Sequence, residues 1–184
     1  MDKSAYSDKD LLKLFRHGDN RNYAFNLLVK KYQEKLYWHL RKILISHEDT
    51  DDALQNTFIK VWDNLEKFRE DAGLYTWLYR IATNEALTIL RKRKQRFFLP
   101  LADVEGQLSN LLEEENQFTG NEIQKKLQKA ILTLPEKQRI VFNMKYFDEM
   151  KYEDMAEILD TSIGALKASY HHAVKKIEKY LTDD

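Results

Sequence analysis

The spacing of apolar residues is the feature that most constrains how this chain can fold. Apolar side chains recur at three- and four-residue steps along most of the sequence, and the longest run extends from Tyr23 to Ile43. This period is typical of amphipathic helices. With only five glycines and two prolines in 184 residues, the chain also has few places for tight turns. Since no segment requires a strand, the sequence predicts an all-α protein.

Four helices are predicted in the first half of the chain. A capping box that starts at Ser7 and a stop at Gly18 bound the first helix, and the long apolar run forms the second. The third follows a group of aspartates and extends to Phe68. After a loop at 69–75 that contains a glycine, a fourth helix is predicted from residue 76 to about residue 93.

The charge distribution divides the chain into parts. The formal net charge is zero, but residues 1–96 carry 19 basic and 14 acidic side chains, and residues 97–122 carry six acidic and no basic ones. The stretch at 97–120 also lacks a sustained apolar period, which indicates a linker. The basic run from Arg91 to Arg96, which ends the first part, could contact nucleic-acid phosphates, and these phosphates would repel the acidic stretch.

A second helical unit follows this linker. Apolar spacing predicts a helix that ends before Pro135, another from there to about residue 147, and a short and a long helix separated by a turn at 160–162. The sequence therefore predicts two small helical domains, a four-helix domain at 1–96 and a second domain at 121–184, joined by the acidic linker.

Several classes of function have no candidate residues. The chain has no cysteine, no GxGxxG, GKS or GKT segment and no HExxH spacing. His171 and His172 are adjacent, so a helix points them about 100° apart, which does not favour a shared metal. Scattered carboxylates such as Glu85 and Asp154 do not suggest a paired catalytic site. We therefore expect no catalytic residues, no metal and no cofactor.

Membrane insertion and secretion are not expected either. The longest stretches without a charged residue have eight residues, against the roughly 20 apolar residues that span a bilayer. The amino terminus lacks the pattern of a secretory signal, and the absence of cysteine fits a reducing compartment. We expect a cytoplasmic protein.

The segment from Lys151 to Ile177 has the layout of a helix-turn-helix. Ile163 and Leu166 would pack inward and leave small and polar side chains on the outer face of the second helix, where they could enter a DNA major groove. An ordinary helical hairpin has the same spacing, so the pattern alone leaves DNA binding open.

Aromatic and basic residues concentrate around the predicted loop at 69–75. Tyr75, Trp77 and Arg80 are of the types that stack on and hold unpaired bases, and a basic run from Arg91 to Arg96 follows on the same helix. For any one aromatic, a place in the core is the simpler interpretation. The polar face of the third helix is by default a solvated surface.

Three segments carry a family resemblance. They are DTDDALQNTFIKVWDNLEKF, FREDAGLYTWLYRIATNEAL and LPEKQRIVFNMKYFDEMKYEDMAEILDTSIGALKASYHHAVKKIE, in this order along the chain. Together they resemble the extracytoplasmic-function (ECF) sigma factors of bacterial RNA polymerase. The resemblance implies a protein without an activity of its own that binds core RNA polymerase and promoter DNA, directs promoter recognition, melting and transcription initiation, and is in some cases held by an anti-sigma factor.

The resemblance also assigns residues to three surfaces. It implies a polymerase-binding surface of Asp52, Gln55, Asn56, Phe58 and Trp62. It implies a surface for the promoter minus-ten element that consists of Phe68, Arg69, Ala72, Gly73, Tyr75, Thr76, Trp77, Arg80, Asn84 and Arg91. It implies a surface for the minus-thirty-five element that consists of Thr161, Ser162, Gly164, Ala165, Lys167, Ala168 and His171.

Two qualifications accompany this assignment. The chain has Ala168, Ser169, His172 and Val174 where relatives often have serine or arginine, so the minus-thirty-five sequence of other members does not transfer. The alternative interpretation is a helix-turn-helix transcriptional regulator that binds a palindrome as a dimer and is not a polymerase subunit.

Overall fold

The computed structural model describes residues 6–97 and 122–182, and side chains over 6–93 and 123–182. Within these ranges the regular elements are helices, and no strand is present, so the prediction of an all-α protein is confirmed. The elements are α1 (Asp8–His17), α2 (Arg21–Leu44), α3 (His47–Asn64), a 3₁₀ turn (Leu65–Lys67), α4 (Leu74–Phe97), α5 (Glu122–Leu132), α6 (Glu136–Tyr146), α7 (Tyr152–Leu159) and α8 (Ile163–Thr182).

Side-chain caps begin the first three helices. At α1 the capping box is present, because the Asp10 amide donates to the Ser7 hydroxyl at 3.2 Å and the Ser7 amide donates to the Asp10 carboxylate at 3.0 Å. The side chain of Asn20 caps α2 by accepting from the Tyr23 amide, and that of Ser46 caps α3 by accepting from the Asp49 amide. Gly18 is the C-cap of α1, and this position requires glycine, since a Cβ here would collide with the carbonyl oxygen of Leu14.

Two predicted helix ends were wrong, both beside the loop that the sequence placed at 69–75. The third helix stops at Asn64, and a 3₁₀ turn follows in which the Phe68 amide donates to the Leu65 carbonyl at 3.3 Å. This tighter turn brings two residues three positions apart, Leu65 and Phe68, into the core. The fourth helix begins at Leu74 and not at residue 76, because Leu74 is buried and the Trp77 amide donates to the Gly73 carbonyl at 3.0 Å.

The main hydrophobic core includes helices from both halves of the chain. Buried Leu36 and Leu40 of α2 belong to the same cluster as Val141 and Met144 of α6 and Met155 of α7. A second, smaller cluster joins α5, α6 and α8 and includes Ala130, Ile131, Leu134, Phe142, Ala173 and Ile177. The amino-terminal helices are therefore packed against α6 and α7.

A buried polar cluster accompanies this packing. The carboxylate of Asp148 accepts a hydrogen bond from Nδ1 of His39 at 2.7 Å and pairs with the ammonium group of Lys42. The side-chain amide of Asn143 donates from Nδ2 to the main-chain carbonyl of Lys42 at 3.1 Å. Burial alone would raise the pKa of Asp148, but the hydrogen bonds and charges of His39 and Lys42 outweigh it and lower that pKa below its ordinary value.

The other ring nitrogen of His39 extends the cluster. Its Nε2 lies 2.9 Å from the hydroxyl of Thr83, which itself donates to the Tyr79 carbonyl at 2.7 Å. The side chain of His39 thus links α2, α4 and the loop after α6.

Candidate nucleic-acid interface

The loop between the 3₁₀ turn and α4, residues 68–73, projects from the helices. We call it the tip loop. Its residues Arg69, Glu70, Asp71 and Gly73 are exposed. Ala72 is half-buried, and Phe68 is 8% exposed with its ring 4.8 Å from the ring of Trp77, which is half-buried. The two aromatic rings therefore pack together where the tip loop joins the helices, and the exposed residues follow Phe68 in the loop.

A basic side chain from α1 reaches the tip loop. Arg16 donates from Nη1 to a carboxylate oxygen of Glu70 at 2.6 Å and from Nη2 to the carbonyl oxygen of Phe68. Glu70 has φ of 62°, a left-handed conformation that is uncommon outside glycine. Arg16 is absent from the residues predicted from sequence, and no local signal in the sequence indicates a contact across 52 positions.

One face of α4 carries several of the predicted minus-ten residues. Arg80, Asn84 and Arg91 are exposed and follow one another at steps of four and seven residues, which places them on the same side of a helix. Arg91 donates to the Leu87 carbonyl at 3.2 Å and to the Thr88 hydroxyl at 3.3 Å. This face continues from the tip loop along the helix.

Two of the predicted minus-ten residues lie on a different side of α4. Thr76 is 4% exposed and donates to the carboxylate of Asp154 in α7 at 3.2 Å. Tyr75 is half-buried, and its ring lies 4.3 Å from that of the buried Tyr79. Burial raises the pKa of both tyrosines. Tyr75 and Thr76 therefore face the carboxyl-terminal helices, and the structure does not bring them to the exposed face with Arg80 and Asn84.

The basic run after Leu90 is only partly available to a ligand. Arg91 and Lys92 are exposed, but Arg93 forms an ion pair with Asp49 of α3. Burial raises the pKa of Asp49, and the positive charge of Arg93 opposes this shift. The side chains of Lys94 and Arg96 lie outside the described residues. Arg93 thus serves the packing of α4 on α3.

The predicted polymerase-binding residues share one side of α3. Asp52, Gln55, Asn56 and Trp62 are exposed, whereas Phe58 is half-buried with its ring 6.3 Å from Phe25. Trp62 is 39% exposed, and its ring packs edge-on against Phe15 at 5.5 Å and Phe25 at 5.0 Å.

An apolar residue that is not among those predicted from sequence lies at the centre of this surface. Ile59 is 52% exposed and lies three positions after Asn56 and three before Trp62. The signal that could have identified it was an apolar residue about one helical turn from both Asn56 and Trp62, on the same helical face.

The predicted helix-turn-helix is formed by α7, the turn and α8. Asp160 adopts the left-handed conformation, with φ of 48° and ψ of 52°, and allows the Thr161 amide to donate to the Ala156 carbonyl at 3.2 Å. The hydroxyl of Ser162 then accepts from the Ala165 amide at 3.3 Å and begins α8. The turn is therefore formed by its own residues.

The outer side of α8 agrees with the predicted orientation. Leu166 is 1% exposed and packs inward. Thr161 is half-buried and donates to the Leu159 carbonyl at 3.0 Å. The remaining predicted residues are all exposed, namely Ser162, Gly164, Ala165, Lys167, Ala168 and His171.

Comparison with known proteins identifies the family. The family model for Sigma-70 region 2 matches residues 28–96, and the model for Sigma-70 region 4 matches residues 124–177. The chain is 32% identical over 180 residues to the ECF RNA polymerase sigma-E factor of Haemophilus influenzae, with 94% of both chains covered. The chain belongs to the ECF sigma factors. It is also 31% identical over 183 residues to the ECF RNA polymerase sigma factor SigW of Bacillus subtilis, with 95% of this chain and 97% of that one covered.

Solved structures share the fold of this ECF sigma factor. CnrH in complex with the cytosolic domain of CnrY matches with a TM-score of 0.69 and 23% identity, over 96% of this chain and 98% of that one. The sigma factor RpoE of Bartonella quintana, in complex with the anti-sigma factor NepR, matches with a TM-score of 0.67 and 22% identity, over 87% and 98% of the two chains.

The two family matches include the three surfaces but not α1. The α3 surface, the tip loop and the α4 face lie within residues 28–96, and the helix-turn-helix lies within 124–177. α1, which carries Arg16, precedes both matches. In the described part of the chain, no helix is long and apolar enough to cross a bilayer.

Proposed function

We propose that this ECF sigma factor binds core RNA polymerase and directs it to promoters, where it recognises two DNA elements and contributes to melting. The observation that carries the proposal is that family membership coincides with separate exposed surfaces in the positions that these roles require. The activity needs no covalent chemistry by the chain itself. Promoter binding also requires the protein to act in the cytoplasm, where the chromosome is.

The α3 surface is the proposed contact with core polymerase. Exposed Gln55 and Asn56 offer hydrogen-bonding groups beside two large apolar side chains, Ile59 and Trp62, at 52% and 39% exposure. A centre of apolar side chains with a polar rim is the usual anatomy of a protein interface. Asp52 at the start of this surface adds a negative charge that would favour a basic partner surface.

The tip loop and the α4 face are the proposed contact with the minus-ten element. We infer that the tip loop, from Phe68 to Gly73, receives a base that leaves the duplex, and that Trp77 supports it from below. Arg80, Asn84 and Arg91 would then follow the neighbouring strand along α4. Tyr75 and Thr76 are proposed to contribute through the packing of the first turn of α4, since that is where their side chains lie.

The energy of melting supports a need for polymerase. Opening five base steps costs about 7 kcal/mol at a mean of about 1.4 kcal/mol per step. Stacking of a captured base on an aromatic surface returns roughly 1–3 kcal/mol per base. A chain that captures one or two bases therefore cannot hold a bubble open by itself, and the remaining free energy has to come from core polymerase.

The exposed side of α8 is the proposed contact with the minus-thirty-five element. A helix-turn-helix places the amino-terminal part of its second helix in the major groove. That part of α8 presents small residues, and at Gly164 a Cβ would have no atom within 4 Å. Lys167 and His171 offer donors to phosphates or base edges. Thr161 would act through the turn that it stabilises.

We also propose domain boundaries and a possible regulator. Residues 1–96 and 121–184 would act as separate units in the assembled polymerase, connected by the acidic linker at 97–120. The relative from Bartonella quintana is described in complex with an anti-sigma factor. We propose that a protein of this kind can hold the present chain as well.

Run-off transcription tests the proposal. Purified core polymerase is combined with this chain and with fragments of the chromosome of the source cell, and transcript starts are mapped. We expect new start sites that share two upstream elements. If adding the chain redirects no initiation, the proposal is wrong. The alternative of a dimeric helix-turn-helix regulator predicts tight binding to duplex DNA without polymerase and a footprint with two-fold symmetry.

A further inference from the structure

The tip loop is held by a residue that belongs to neither family match. Arg16, in the last turn of α1, binds two atoms of the tip loop with one guanidinium group, the carboxylate of Glu70 at 2.6 Å and the main-chain carbonyl of Phe68. Arginine is suited to this because its planar fork presents several donors in a fixed geometry. The Arg16 side chain is 25% exposed, so the contact is partly shielded from water.

We propose that Arg16 is a positioning residue for base capture. Its two hydrogen bonds would fix the path of the tip loop between Phe68 and Glu70, so that the capture surface has its shape before DNA arrives. This inference rests on the proposed function of the tip loop.

The conformation of the tip loop explains why such a brace is needed. Main-chain hydrogen bonds hold the two ends, from the Phe68 amide to the Leu65 carbonyl and from the Trp77 amide to the Gly73 carbonyl. Between these ends Glu70 adopts a left-handed conformation, which carries an energetic cost for a residue with a side chain. The ion pair with Arg16 compensates for this cost at the same residue.

Preorganisation connects the brace to DNA recognition. A segment that is ordered before binding loses less conformational freedom when the ligand arrives. A fixed tip loop also presents one shape to the four bases, which is a requirement for discrimination between them. Loss of Arg16 should therefore reduce the contribution of the captured base, and leave contacts to the sugar-phosphate backbone unchanged.

A nearby arginine provides a matched control. Arg21, at the start of α2, pairs with Glu66 of the 3₁₀ turn at 2.6 Å and donates to the Phe15 carbonyl at 3.3 Å. It therefore joins α2 to α1 and to the 3₁₀ turn with the same kind of ion pair, but its contacts lie before the tip loop. Arg21→Ala removes a charge and an ion pair at this junction without releasing Phe68 or Glu70.

The experiment uses holoenzyme assembled from core polymerase and the full chain. The probe is fork-junction DNA with a duplex upstream part and a randomised single-stranded hexanucleotide, from which the holoenzyme selects its preferred bases. The base with the strongest preference is then replaced by an abasic site. The readout is the ratio of the Kd for the abasic probe to the Kd for the selected probe, measured by fluorescence anisotropy.

The expected ratio for the unmodified chain is about fivefold or more, which corresponds to the lower limit of base stacking on aromatic side chains. For Arg16→Ala the ratio should fall below about threefold, while the Kd for the abasic probe stays within about twofold of its original value. Arg16→Lys should give an intermediate ratio, because an ammonium group cannot reproduce the fork. Arg21→Ala should keep the full ratio.

The possible results separate the inference from the proposed function. A ratio near one for the unmodified chain contradicts base capture itself. A full ratio for Arg16→Ala, or an equal loss of affinity for both probes, overturns the positioning role. If Arg16→Ala fails to fold, as judged by circular dichroism, Glu70→Ala takes its place, since it removes the ion pair from the exposed end. The ratio of the two Kd values should fall more for Glu70→Ala than for Arg21→Ala. An unchanged ratio for Glu70→Ala overturns the inference.

Discussion

The two surfaces that we propose bind DNA are constructed in opposite ways. The turn between α7 and α8 is closed by residues within five positions of one another, through the Thr161 amide on the Ala156 carbonyl and the Ser162 hydroxyl on the Ala165 amide. The tip loop is held by Arg16, which is more than 50 positions away in sequence. One surface is stabilised locally and the other depends on a distant helix.

The difference shows which parts of the molecule can change independently. A locally closed turn keeps its geometry as long as its own few residues are intact, so its binding side chains can be replaced without loss of the motif. A loop that is held at long range loses its geometry when a distant helix is altered. We expect long-range contacts in this protein to be the more sensitive ones, and the predictions below test that expectation from the largest effect to the smallest.

The largest effect is expected at Asp148, the buried acceptor between the two halves of the chain. Its side chain is 8% exposed and binds His39 and Lys42, both more than 100 positions away. Asp148→Ala leaves these donors buried without their partner, so the free energy of unfolding in urea should fall by about 3 kcal/mol. Asp154→Ala, which removes the weaker contact with Thr76, is the control and should cost about 1 kcal/mol or less. Equal losses of unfolding free energy for Asp148→Ala and Asp154→Ala would show that the buried cluster does not stabilise the fold more than the single contact with Thr76 does.

The same cluster predicts how stability depends on pH. The pKa of Asp148 is lowered in the folded protein, so its ionised form stabilises the fold at pH values above the pKa of an unfolded aspartate, about 3.9. This contribution is lost as the pH falls through the lower, folded-state pKa. Denaturation in urea at pH 6, 5, 4 and 3 should therefore show a smaller acid-induced loss of stability for Asp148→Asn than for the unmodified chain. An equal loss of unfolding free energy with falling pH in both proteins would contradict the lowered pKa of Asp148 in the folded state.

Sequence reasoning was successful where structure depends on neighbours. The capping box at Ser7, the turn at Asp160 and the inward position of Leu166 all follow from spacing and from the properties of single residues. The last residue of α3 and the first residue of α4 could not be predicted in this way, because burial of Leu65 and Leu74 in the core overrides the local pattern.

The parts that could not be predicted all involve distant residues. Nothing in the local sequence connects Arg16 with Glu70 or His39 with Asp148, since each pair meets only after the helices have packed. The same holds for Thr76, which resembles a DNA-binding residue by position but faces Asp154 because α7 packs against α4. The direction in which a side chain on a helix faces is thus set by the packing of distant helices, which a local pattern does not contain.

The local turn allows a smaller prediction. Ser162→Ala removes the hydroxyl that accepts from the Ala165 amide at the start of α8, so the free energy of unfolding should fall by about 1 kcal/mol. Ser162→Asp restores a capping acceptor and should recover this loss. The new negative charge would nevertheless repel DNA phosphates, so Ser162→Asp holoenzyme should bind a duplex minus-thirty-five probe less tightly. Recovery of both properties would mean that this end of α8 does not approach DNA.

The smallest change in stability is expected at two glycines, one on each proposed DNA surface. A Cβ at Gly164 has no neighbour within 4 Å, and one at Gly73 has only the Thr76 hydroxyl, at 3.9 Å. Neither glycine has a positive φ, so alanine fits both backbones. In α8 the replacement should stabilise the protein by roughly 0.5 kcal/mol, because alanine favours helices.

The affinity for DNA should distinguish the Gly164→Ala and Gly73→Ala variants, since each added methyl group occupies a surface that we propose lies against DNA. Gly164→Ala holoenzyme should lose affinity for the upstream duplex alone, and Gly73→Ala holoenzyme for single-stranded minus-ten DNA alone, with competition binding as the measurement. A change in both affinities for either variant would mean that the two surfaces are coupled, and that the locally closed turn does not act independently of the tip loop.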